Sequence, residues 1–83
     1  MDARHSSVAV IFSDDGEPLT LASLGDIPSS RVLRAQFARG EMTSCVAATV
    51  EHECGPAELA AELRAWAGRK GWSVTVAPLR SSR

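Results

Sequence analysis

Cys45, His52 and Cys54 carry the side chains best suited to holding a metal or attacking an electrophile, with His5 as a distant fourth ligand. Their spacing is C-x6-H-x-C. That spacing matches no structural zinc pattern, and Cys45 falls in the middle of an expected strand. A thiol nucleophile needs a neighbouring base and a third group that orients the base. His52 is near Cys54 in sequence, but no orienting residue or oxyanion donor accompanies them. Gly55 supplies one free amide before a helix start, without the glycine-rich loop that cradles phosphates. Asp14, Asp15 and Glu17 crowd a turn but lack the alternating oxygen ligands of a calcium loop. The expectation is a protein that is not an enzyme and takes no metal or cofactor. A thiol- or metal-dependent role for Cys45, His52 and Cys54 is the least favoured reading.

A second group is Arg31, Arg34 and Arg39. At about 100° per residue they share one side of a helix, opposite Val32, Leu33 and Phe37. The planar guanidinium fork suits carboxylates and phosphates. Base-stacking aromatics do not alternate with these arginines, and the formal net charge is only -1. A strongly basic balance, usual for a nucleic-acid binder, is therefore missing. A protein partner is favoured, with direct nucleic-acid binding by the same arginines as the alternative.

Both readings depend on the elements that position these residues. With 83 residues, the chain has room for one domain, residues 1–83, fraying at about 1–5 and 79–83. Hydrophobic residues are 45% and charged residues 23%, the balance of a globular protein. No apolar run nears the roughly 18 residues of a membrane span, and the polar first residues do not lead a secretory signal. Two cysteines are too few for a disulfide scaffold, which suits a reducing cytoplasm. Thirteen alanines and seven valines stand beside two phenylalanines, two tryptophans and no tyrosine. Such a core is small-grained with few anchors, and a second subunit would add stability. A homodimer is expected.

Val8 to Phe12 read as a strand, and Asp15-Gly16 as a tight reversal into a second strand over 19–24. Pro28 and Ser30 introduce a helix over 30–39 that Gly40 stops. A third strand runs over 42–50. Pro56 opens a second helix to Arg69, with Leu59, Leu63 and Trp66 as its apolar stripe. Gly71 ends it, and 72–77 alternate as the last strand before Pro78.

The order ββαβαβ predicts an α+β two-layer sandwich: a four-stranded mixed sheet with two helices on one face. Alternation assigns Val8, Val10 and Phe12 to the covered face with Val46, Ala48, Val50, Trp72, Val74 and Val76. It leaves Ile11, Thr43, Cys45, Ala47 and Thr75 on the bare face, beside Ala9 and Thr49. That face is smooth and nearly uncharged, where a solvated one would carry charges. It reads as a surface for a second copy or another partner. The expected function is a small binding or regulatory protein that occludes a protein partner. An inhibitor of a host defence or nucleic-acid-handling complex would be of this kind.

Overall fold

The computed structural model describes residues 4–13, 18–39 and 44–79. It contains strands β1 (His5–Ser13), β2 (Ser30–Arg39), β3 (Ser44–His52) and β4 (Trp72–Pro78), one α-helix, α1 (Pro56–Arg69), and a 3-10 turn at Ala22–Asp26. The four strands form one sheet in the order β2-β3-β1-β4, and every neighbouring pair is antiparallel. Two interlocked split β-α-β units give this order. In the first unit the 3-10 turn stands where a helix would be.

The α+β class holds, but the expected sandwich of a mixed sheet under two helices does not: the sheet is wholly antiparallel and carries one helix. The segment expected as a second strand is the connection that carries the 3-10 turn. Thr20 and Ser23 satisfy each other there. The Ser23 amide donates to the Thr20 carbonyl at 3.0 Å, and the Thr20 amide donates to Ser23 Oγ at 3.0 Å. Leu19 and Leu24 are buried while Leu21 is exposed, so the leucine spacing serves a turn. The proposed hairpin partner of β1 is absent from the sheet, and β1 lies between β3 and β4 instead. The reversal at 14–17 lies outside the described residues.

The expected helix over 30–39 is strand β2. Its register against β3 slips between Val32 and Arg34, leaving Leu33 as the extra residue of a bulge. One inserted residue turns the strand's period of two into a spacing of three. Arg31 and Arg34 therefore share one face, and Val32 and Ala35 the other. Spacing of three is what a helix also produces, and here it has another cause.

The core lies between the sheet and α1. Leu59, Leu63, Trp66 and Ala67 descend from the helix onto Ala9, Ile11, Val46, Ala48, Val50, Trp72 and Val74. Trp66 and Trp72 meet edge to face with centroids 5.5 Å apart. Glu58 holds the helix start, accepting from the Gly55 amide at 3.0 Å, and Pro56 occupies the first helical position. Asp26 ties the 3-10 turn to the far end of α1. It accepts from Trp66 Nε1 at 3.3 Å and pairs with Lys70 at 3.6 Å.

Gly71 joins α1 to β4 at φ 78, in the left-handed region that side chains resist. Gly71→Ala is expected to cost about 1 kcal/mol and lower the melting temperature by roughly 4–8 °C. Thermal unfolding followed by circular dichroism measures it. An unchanged midpoint would mean that the turn relaxes freely.

Candidate interaction face

Side chains of a strand alternate, so registers fix both faces of the sheet. The paired row Ile11, Val46 and Val74, with Phe37 at its β2 end, lies on the side of the sheet where α1 packs over β4 and β1. Ala9, Ala48, Val76 and Ala35 form the next row on that side. The opposite face has no layer over it among the described residues. Its rows run Ala38–Cys45–Phe12–Ser73, then Gln36–Ala47–Val10–Thr75, then Arg34–Thr49–Val8–Ala77. A fourth row brings Arg31, Glu51 and Ser6 together.

The parity of β1 is thus the reverse of the sequence expectation. Ile11, expected on the bare face, is 0% exposed in the core. Val8, Val10 and Phe12, expected in the core, form the central column of the open face, and Phe12 is 45% exposed. The physical reason is volume. Beneath the helix layer the small residues Ser7, Ala9 and Ala48 alternate with Ile11, Val46 and Val50, a set smaller than one with Val8, Val10 and Phe12 turned inward. Larger side chains there would overfill the layer. Cys45, Ala47 and Thr75 are on the open face as expected, and Thr43 lies outside the described residues. The face is low in relief but more apolar than the sequence suggested. Leu33, 49% exposed on the bulge, adds an apolar residue at the β2 edge.

The arginines separate. Arg31 bonds Glu51 at 3.2 Å across β2 and β3. Arg34, one row inward, is exposed, and none of the described carboxylates pairs with it. Arg39 pairs in register with Ser44, in the row of Ser13 and Trp72 rather than in a row of the open face. No three-residue cationic helix stripe exists. Two arginines of β2 remain at one corner of the sheet.

The Cys/His group is also rearranged. Cys45 sits in the open face, Cys54 packs beside the core, and neither is bonded to the other. His52, the last residue of β3, is 2% exposed. Its Nδ1 is 2.9 Å from the Cys54 carbonyl and its Nε2 is 2.8 Å from Ser7 Oγ. A carbonyl only accepts, so Nδ1 carries the proton, and with the ring neutral Ser7 donates to Nε2. His5 stacks on the ring with centroids 5.4 Å apart.

A hydroxyl donating to an imidazole whose other nitrogen is anchored has the polarity of a nucleophile–base pair. Ser7, however, is 0% exposed beneath the helix layer, so no substrate atom reaches its oxygen. The pair instead satisfies polar groups inside the core. Sequence spacing gave no sign of it, because Ser7 and His52 meet only through the β1–β3 register. No three His, Cys, Asp or Glu residues converge on a metal-sized point among the described residues.

Beside His52, an open cleft of about 630 Å³ is lined by Arg4, Arg31, Glu51 and Glu53, among others. Glu51 is shared there by Arg31 and by Arg4, the latter at 3.5 Å. Two guanidinium groups face two carboxylates, so the cleft's charges are spent on one another.

Comparison with known proteins returns no matching family model, no matching curated protein and no matching solved structure.

Proposed function

We propose that this chain is a non-enzymatic binding protein that covers part of a protein partner with the open face of its sheet. The observation that carries the reading is the parity of β1, which sets Val8, Val10 and Phe12 in the middle of a sheet face that none of the described elements covers. An apolar centre with short neighbours can approach another surface closely, and a polar rim is the usual frame of such a contact. Thr49, Gln36, Thr75 and Ser73 supply that rim. A binding role of this kind acts by occlusion, since none of the groups described above is arranged to turn over a substrate. A protein partner is preferred to nucleic acid because Phe12 is the face's one aromatic residue and successive bases need several stacking partners. The free thiols of Cys45 and Cys54 suit work in a reducing compartment.

The test compares surface variants in affinity capture from the cells that make the protein. Val10→Glu and Phe12→Glu are expected to lower retention of a partner at least tenfold. Ala61→Glu, on the outer side of α1, is expected to leave it unchanged. Equal retention by all three rejects the face as the contact. Retention that vanishes with nuclease and falls steeply with salt would replace the protein partner by nucleic acid.

A further inference from the structure

We infer that two copies of this chain pair along the outer edge of β4, joining their four-stranded sheets into one. The inference rests on the backbone of β4 and is independent of what the open face binds. Leu79 donates its amide to the Ser6 carbonyl at 2.9 Å. The β1–β4 register runs from Ser7–Pro78 to Ser13–Trp72 without a slip. In an antiparallel ladder, alternate residues turn both amide and carbonyl toward the same neighbour. Ser73, Thr75 and Ala77 therefore share the direction of Leu79, toward β1. Val74 and Val76 turn theirs the other way, where no strand follows β4 among the described residues.

The two edges of the sheet differ. β2 carries devices that discourage pairing: a bulge at Leu33 and the exposed Arg31 and Arg34. β4 is regular and uncharged over Trp72–Pro78. Its guard is Pro78, at an outward position, which ends the ladder without blocking it. Such an edge takes an extended strand, and β4 complements itself. About a two-fold axis, Thr75 meets the partner's Thr75, Val74 meets the partner's Val76, and Ser73 meets the partner's Ala77. Val74 and Val76 then exchange amide and carbonyl bonds across the axis, and Thr75 forms the close, non-bonded pair. The valines meet on the α1 side, and Thr, Ser and Ala meet on the open side. β-Branched pairs of this kind are favoured cross-strand contacts.

The helices leave room for this pairing. α1 packs over β4 and β1, so its axis lies inboard of the edge. About two strand spacings then separate α1 from its counterpart, roughly the 8–10 Å of packed helices. Glu62 accepts from Ser29 Oγ at 3.2 Å, which turns that flank of α1 toward the start of β2. The opposite flank, above the β4 edge, carries Ala57, Ala60 and Gly68 beside Arg64.

Size-exclusion chromatography with light scattering on the whole chain should give twice the chain mass. Val76→Pro removes an outward amide and spares the ladder with β1. Thr75→Lys sets two ammonium groups against each other at the axis. Each should raise the dissociation constant of the dimer roughly tenfold or more, with the circular-dichroism spectrum retained. If Val76→Pro unfolds the chain, Thr75→Lys carries the test. Register is read by mild oxidation in a Cys45→Ala, Cys54→Ala background. Thr75→Cys should form an intermolecular disulfide, since paired Cα atoms there lie about 4.5 Å apart. Ser73→Cys, opposite the partner's Ala77, should not. A monomer at millimolar concentration would overturn the inference. So would a dimer indifferent to both substitutions, or one that crosslinks equally at 73 and 75. Binding by the open face is read with different variants, so the two failures are distinguishable.

Discussion

Ile11→Asp is expected to abolish cooperative folding, whereas Val10→Asp leaves a folded protein with a melting temperature within roughly 10 °C of the parent. The two residues are neighbours in β1 and similar in size, yet they point to opposite sides of the sheet. Ile11 is 0% exposed beneath α1, where a carboxylate would meet only Val46, Val74 and the apolar helix stripe. An unpaired buried charge costs more than about 5 kcal/mol before relaxation. That rivals the whole stability of a domain this small. At position 10 the carboxylate reaches water, and the cost is lost cross-strand packing with Ala47 and Thr75, about 1 kcal/mol. Circular dichroism melts of both variants measure the contrast. Unfolding by Val10→Asp with tolerance of Ile11→Asp would reverse the sheet and remove the proposed contact surface with it.

The second large effect is expected at His52. His52→Phe retains ring volume and removes both hydrogen bonds, leaving the Ser7 hydroxyl and the Cys54 carbonyl without partners. Orphaning the fully buried Ser7 hydroxyl costs about 1–3 kcal/mol, and the part-buried Cys54 carbonyl adds less. The expected loss is about 3 kcal/mol, which lowers the melting temperature by roughly 10–25 °C. Adding Ser7→Ala removes one of the two orphans, so the double variant should regain about 1 kcal/mol over His52→Phe alone. Chemical denaturation of the single and double variants gives these differences. Strictly additive losses would mean that the two side chains do not depend on one another.

What the sequence discloses is uneven, and the differences have physical causes. The helix over 56–69 and the last strand were legible because Pro56, Gly71 and Pro78 punctuate clean periodic runs. The third strand was legible within two residues at each end. β2 was not, because the bulge at Leu33 imposes a helical spacing on a strand and because Arg, Ala, Leu and Gln all favour helices. Pairing with β3 overrides that preference. The parity of β1 was illegible for a different reason. Val8, Ala9, Val10 and Ile11 are all apolar, so alternation assigns no side, and only the room beneath the helix layer decides that Ser7, Ala9 and Ile11 face inward. Of the candidate site, Cys45, Ala47 and Thr75 were placed on the correct face from alternation alone. Ile11 was not, and the column of Val8, Val10 and Phe12 was missed with it. Arg31 and Arg34 share a face through the bulge of a strand and not, as the expected stripe of Arg31, Arg34 and Arg39 required, through the turns of a helix.

The strand order β2-β3-β1-β4 also bears on synthesis. β1 leaves the ribosome before either of its neighbours in the sheet, since β3 and β4 both follow it in the chain. Until β3 appears, its Val8–Phe12 stretch has no ladder to join, and until β4 appears one of its edges stays open. Such a nascent strand is apolar on both sides and prone to pair with strangers. With most of its pairings far apart along the chain, the domain should fold slowly for its size. Chaperone capture of the emerging first half is the natural safeguard.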